Sequence, residues 1–225
     1  MSEQVKPKQH RITIPKYTLG EELTNSISHG VGAGLGIAAL VLCIVKSAIA
    51  HDGYKLASSI VFGITVTLLY LMSCLYHALK VNKAKRVFRV MDHCTIFLLI
   101  AGTYTPYCLI PLYGTAVGWT VLIAQWACAI GGITMNAIAL NNKVVKGLSM
   151  GLYVITGWMA LAFVGPLYPV VSGACFWLLL GGGIAYTVGI AFFAFGKKVR
   201  YFHAVWHLFV LLGTVLQFTS ILLMM

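Results

Sequence analysis

The sequence predicts an all-α fold: a seven-transmembrane helix bundle with its amino terminus cytoplasmic and its carboxyl terminus extracytoplasmic. Three observations predict it. Of 225 residues, 60% are hydrophobic and only 9% are charged, whereas a soluble domain carries roughly 25% charged residues. Apolar runs recur from about residue 24 to the last residue, at a mean hydropathy of +0.89. The basic residues fall in the short loops between those runs. Together these exclude a soluble globular enzyme, a disordered chain and a disulfide-stapled secreted module. The six cysteines (Cys43, Cys74, Cys94, Cys108, Cys128 and Cys175) stand singly in apolar stretches with no CxxC pair, and read as small packing residues.

About 20 apolar residues cross a bilayer core. That ruler places spans near 24–46, 55–79, 90–111, 116–140, 147–166, 170–196 and 201–225. Span one is read as a retained anchor: Ala48-Ile49-Ala50 resembles a cleavage site, but the segment before it is too long and Lys46 interrupts its end. Glycines 30, 32, 34 and 36 in span one, like 181–183 in span six, give small faces for close helix packing. Thr103-Tyr104-Thr105-Pro106 in span three reads as a proline kink whose hydroxyls re-satisfy the backbone. Turns are expected at Pro111 and Gly114, at Asn141-Asn142, and at Gly165-Pro166 with Pro169. The chain thus divides into a basic tail (1–20) and a membrane domain (21–225).

The net charge of +11 is explained by topology rather than by nucleic acid, for which no partner role is expected. Lys6, Lys8, Arg11 and Lys16 precede span one, and Lys80, Lys83, Lys85, Arg86 and Arg89 follow span two. Lys143 and Lys146 follow span four, and Lys197, Lys198 and Arg200 follow span six. Only Lys46 and Lys55 lie on the other side. The positive-inside rule then requires an odd number of spans starting in the cytoplasm. A rhodopsin is excluded because no lysine lies between His203 and Met225, and a G-protein-coupled receptor because it runs in the opposite sense.

Ionisable residues within a span are costly and mark function by default. His77, Asp92 and His203 each lie three residues inside a basic boundary, set by Lys80, Arg89 and Arg200; that is a shared depth of about 4.5 Å. His207 follows His203 on the same helix face at i+4, and Ser73 precedes His77 by the same interval. Three imidazoles with an open fourth position match catalytic zinc. Unlike HExxH, the spacer Ala204-Val205-Trp206 holds no glutamate, which leaves Asp92 as the carboxylate placed to act as base. The bland reading is that each histidine is an interfacial residue bonded to a carbonyl. His93 lies about 100° around the helix from Asp92 and is read as a structural or substrate-side group. In span one, Glu22, Asn25 and His29 share a face. Glu22 and Asn25 suit helix capping, the simpler role, or support of the ligands; His29 suits a bond to Asp92 or the cavity lining. His10 and His51, in the tail and an outer loop, are given no function.

At these residues the chain resembles the hemolysin III family, the bacterial branch of the progestin and adiponectin receptor group within a superfamily that includes alkaline ceramidases. The resemblance rests on Glu22-x-x-Asn25-x-x-x-His29-Gly30, Ser73-Cys-Leu-Tyr-His77, Asp92-His93 leading to Ala101-Gly-Thr-Tyr-Thr-Pro106, and His203-Ala-Val-Trp-His207, in order from about residue 18 to the end. It implies a zinc ion near the cytoplasmic face held by His77, His203 and His207. In that reading Asp92 holds the metal-bound water, with Ser73 beside it. Phe202 and Gln217 depart from the family's common Asn and His, which touches the cavity lining rather than the ligands. The implied function is a zinc-dependent hydrolase of a lipid amide or ester, working in membrane lipid homeostasis in the bacterial cytoplasmic membrane with membrane lipids as partners. A non-catalytic zinc-stabilised lipid sensor is the alternative. A secreted cytolysin is disfavoured because seven retained spans leave no water-soluble state. A zinc transporter is disfavoured because its site would sit near the midplane.

The topology has a direct consequence. A reporter active only outside the cytoplasm is expected to be active when fused after Met225 and silent when fused after Asn142; the reverse pattern would overturn the orientation.

Overall fold

The computed structural model describes residues 12–196 and 198–225. Lys6, Lys8, Arg11 and Lys197, used above for charge and topology, and His10, given no function, lie outside the described residues. Within them the chain is helical without strands, and seven of its segments are long and apolar enough to cross a membrane. The helices are α1 (Leu19–Ile49), α2 (Gly53–Ala78), α3 (Lys83–Leu109), α4 (Ala116–Ala139), α5 (Lys143–Gly157), the single turn α6 (Val164–Leu167), α7 (Gly173–Phe195) and α8 (Phe202–Leu222).

Each helix starts where the local chemistry allows. Thr18 caps α1 in a reciprocal capping box with Glu21, and Asp52, Asn82, Thr115, Asn142 and Ser172 accept from the first amides of α2, α3, α4, α5 and α7. Capping of α1 by Glu22 and Asn25 is therefore corrected. The helix begins a turn and a half earlier than its apolar run, at Leu19. With 31 residues it is about 46 Å long against a hydrocarbon core of about 30 Å. Its polar first turns stand outside the apolar ruler. The same holds for α3, which starts at Lys83 rather than near residue 90. Gly114, at φ +76°, makes the turn between α3 and α4.

The fifth span departs from a continuous helix. α5 ends at Gly157, and the chain continues through 3₁₀ turns at Met159–Phe163 and Tyr168–Val170 on either side of α6. Irregular backbone at membrane depth must be satisfied by protein, and it is. Tyr104 Oη donates to Gly157 O (2.7 Å) and accepts from Ala160 N (2.8 Å), while Gln125 Nε2 donates to Thr156 O (2.9 Å). The proline in α3 is also treated differently from expectation. Pro106 frees the carbonyl of Gly102, yet Thr103 and Thr105 donate to Leu99 O and Ala101 O. Their hydroxyls cap neighbouring carbonyls, and Thr105 also accepts from Trp126 Nε1.

Packing is most extensive between α1 and α2. A Cβ on Gly32 would fall 2.5 Å from the Tyr70 ring, and one on Gly36 would fall 2.9 Å from Thr67 Oγ1, whereas Gly34 faces open space. The i, i+4 pair thus meets α2. Leucine and isoleucine side chains on the outer faces, such as Leu35, Ile123 and Ile138, are exposed, as the lipid-facing surface of a bundle requires. At the end away from the basic loops, Lys46 Nζ and Lys55 Nζ donate to Leu222 O and Met225 O, both at 2.9 Å. The two lysines outside the basic clusters are therefore spent on carbonyls at the end of α8 and just beyond it. All six cysteines are free.

Replacing Gly32 with valine is expected to destabilise the protein by about 1–3 kcal/mol through overpacking against Tyr70. Thermal unfolding in detergent should show this, with Gly34→Val, in open space, unchanged.

Candidate metal centre

His77 stands in the last turn of α2, and His203 and His207 stand in the first turns of α8. The entry to α8 is set by Tyr201, a non-glycine residue at φ 61°, whose N–H donates to Glu21 Oε1 on α1 at 3.0 Å. That bond holds the strained residue in place and so sets the direction in which His203 leaves the turn. The three histidines are buried, and one nitrogen from each lies within 4.8 Å of the others. The matched depth read from the sequence is thus a matched position in space.

Hydrogen bonds fix which nitrogens face the centre. His77 Nδ1 lies 2.7 Å from Glu22 Oε2. A carboxylate only accepts, so Nδ1 carries the proton and Nε2 carries the lone pair. That Nε2 is buried and without a hydrogen-bond partner. His207 Nδ1 lies 3.3 Å from the Asn25 carbonyl oxygen, again an acceptor, which turns its Nε2 lone pair towards His203. The Nε2 atoms of His203 and His207 are 3.2 Å apart. Two nitrogens on a tetrahedral zinc at about 2.0–2.1 Å are separated by about 3.3 Å. The donor set, the orphaned Nε2 of His77 and this spacing all fit a metal ion. The carboxylate behind His77 is the arrangement that orients a ligating imidazole and raises its basicity.

Glu22 is therefore a support for the cluster and not a cap. Its second oxygen accepts from Lys85 Nζ at 2.6 Å. Lys85, 1% exposed on the first turn of α3, also sits over the Tyr76 ring. Asn25 supports the cluster by its carbonyl, which accepts from His207 Nδ1. His29 makes no hydrogen bond with Asp92. It stacks on His207 (ring centroids 3.5 Å apart) and lies edge-on to Tyr70, with both ring nitrogens unpartnered.

Asp92 is buried facing Ser73, His77 and Arg89, and Ser73 Oγ lies beside it without a hydrogen bond of ordinary geometry. Asp92, His29 and His203 line a cavity of about 340 Å³ that runs on between apolar side chains such as Leu99, Trp158 and Val210. His93, although offset around α3, lines the same cavity, and its carbonyl accepts from Tyr153 Oη at 2.7 Å.

Two contributors escaped the sequence reading. Tyr17 packs its ring on His203 (5.1 Å) and lines the cavity; burial pushes its phenol up, so it stays protonated. The segment before α1 is held there by Arg89 Nη1 donating to Thr13 O and by Thr13 donating to Asn141 Oδ1. Lys85 reads in the sequence only as a loop charge. Neither residue has an apolar period or a motif that would mark it; only the nearby Thr18–Glu21 box signals that an ordered chain precedes α1.

A seven-span membrane protein with a buried, carboxylate-supported trio of imidazoles at the basic end of the bundle is the class that fold and site define. Within it, this chain belongs to the haemolysin-III related family, whose family model matches residues 17–218. It is 41% identical over 206 residues to a hemolysin-3 homolog of Bacillus subtilis, covering 92% of this chain and 95% of that one. It is 42% identical over 202 residues to hemolysin-3 of Bacillus cereus, with 90% of each chain covered. A more distant likeness, 23% over 197 residues, is to the human monocyte to macrophage differentiation factor, with 81% of this chain and 78% of that one covered.

Because Glu22 orients His77, Glu22→Gln is expected to weaken metal binding by about 10–100-fold. Competition against a chromophoric chelator measures this, and an unchanged affinity would remove Glu22 from the centre.

Proposed function

We propose that this protein is a zinc-dependent hydrolase of a lipid amide or ester, acting within the bundle in the bacterial cytoplasmic membrane and serving membrane lipid homeostasis. The observation that carries the reading is that Asp92 and His203 line one cavity with largely apolar walls, while Ser73 and His77 stand behind it, facing Asp92. His77, His203 and His207 would hold the ion. A zinc ion there supplies Lewis acidity, polarising a carbonyl and acidifying water.

The chain's own groups divide the remaining work. Asp92 takes the proton of the attacking water and delivers it to the leaving amine or alcohol. The Ser73 hydroxyl, beside Asp92, donates to the carbonyl oxygen as negative charge develops. Leu99, Val210 and Trp158 hold the acyl chain and keep bulk water out. The basic residues around the mouth attract anionic headgroups. The Bacillus relatives and the seven apolar spans support the cellular location.

One observation favours a second reading, a non-catalytic sensor. All three histidines come from α2 and α8 alone, so a metal there would clamp those two helices whether or not chemistry follows. Incubation of the zinc-loaded protein with lipid mixtures separates the two, since a sensor releases no fatty acid.

Asp92→Asn is expected to retain its zinc while lowering lipid turnover by about 10²–10⁴-fold. Elemental analysis and fatty-acid release on the same preparation measure both, and full activity in that variant would sink the mechanism. His77→Ala and His207→Ala should each lose the metal; wild-type protein that neither carries nor takes up zinc would end both readings.

A further inference from the structure

We propose that Gln217 forms a second polar subsite at the far end of the cavity, built to hydrogen-bond a hydroxyl group carried along the ligand's acyl chain. This rests on the reading of the cavity as an acyl-chain site. Gln217 is on α8, 14 residues after His203, which places it about 21 Å along the helix from the histidines. It lies in the opposite half of the membrane, yet His203 and Gln217 line the same cavity.

The Gln217 side chain is 7% exposed, and no described residue hydrogen-bonds its amide. The neighbouring hydroxyls are already committed. Thr214 Oγ1, one turn before Gln217 on α8, donates to Val210 O and lies 2.7 Å from both Tyr186 Oη and Tyr70 Oη. The position of the amide is built by the backbone opposite. A Cβ on Gly182 of α7 would fall 2.5 Å from Gln217 Cγ, so the stem of Gln217 occupies the room that a bare Gly182 leaves. Gln217 lines the cavity, and an amide facing an apolar-walled cavity without a protein partner calls for one inside it.

The carboxamide both donates and accepts. A hydroxyl does the same, so one hydroxyl satisfies both ends of the amide in a space a chain can enter; a saturated chain satisfies neither. A long acyl chain whose head lies at the histidines would pass Gln217 with its distal part. The ligand class is therefore a hydroxylated acyl chain, and Gln217 discriminates it from a plain one. Sites that hydrogen-bond a ligand hydroxyl reject the analogue lacking it, because their own polar groups are then left unpaired.

The test is displacement of a fluorescent polyene fatty acid from the purified full-length protein in detergent. The competitors are stearate and hydroxystearates with the hydroxyl moved stepwise along the chain. The expected result is that hydroxystearates with the hydroxyl in the distal part bind about tenfold tighter than stearate, the increment of one net hydrogen bond. In Gln217→Met, which keeps the volume and removes the unpaired amide, that preference should vanish and stearate should bind more tightly than it does to the wild type. A wild type that binds every isomer like stearate overturns the proposal: the amide is then served by water alone. So does a preference that survives in Gln217→Met, or a failure of every fatty acid to displace the probe. The wild-type series decides even if the variant folds poorly. Because the assay reads binding, failure of hydrolysis or absence of zinc would overturn the catalytic reading and leave this one standing.

Discussion

The bridge made by Glu22 organises this end of the bundle. One carboxylate on α1 orients the His77 imidazole of α2 with one oxygen and neutralises the buried Lys85 of α3 with the other. Each of the three groups would be expensive to bury alone. Joined, they fix the tautomer of His77 and hold its Nε2 towards His203 and His207. A second carboxylate of the same turn, Glu21, holds Tyr201 at the entry to α8. Adjacent glutamates on α1 therefore position both halves of the histidine cluster, although neither offers it a ligand atom.

The bilayer accounts for much of the remaining design. Since lipid cannot satisfy backbone groups, the break in the fifth span exists only where Tyr104 and Gln125 supply the missing bonds. The break brings Gly157 and Trp158 to the cavity wall, so irregularity and cavity are two aspects of one arrangement. The polar residues at the two ends of the cavity differ in the same terms. At the basic end Glu22 joins His77 and Lys85 into a bonded network beside the open Nε2 of His77 and the stacked His29; at the far end Gln217 is left with its amide bare.

Much of this was legible in one dimension. The number of spans follows from length and hydropathy, and the depth of His77, Asp92, His203 and His207 from counting residues inward from Lys80, Arg89 and Arg200. Helix periodicity preserves axial depth along a span, so counting suffices for it. The roles of Glu22 and Asn25 were not legible, because they turn on where α1 begins and which helix stands beside it. His29 was legible as a cavity residue but not as the stacking partner of His207, and Tyr17 was not legible at all.

The membrane class, the seven spans and the level at which ionisable groups sit follow from the residue order alone, because hydrophobicity and helical rise are local properties of the chain. Tertiary structure alone decided which side of each helix faces which neighbour. Two groups at equal depth on different helices need not meet; here the close packing of α1 on α2, the left-handed turn at Tyr201 and the Glu22 bridge make them do so. Those are contacts between residues tens to nearly two hundred positions apart, and no local pattern in the chain encodes them.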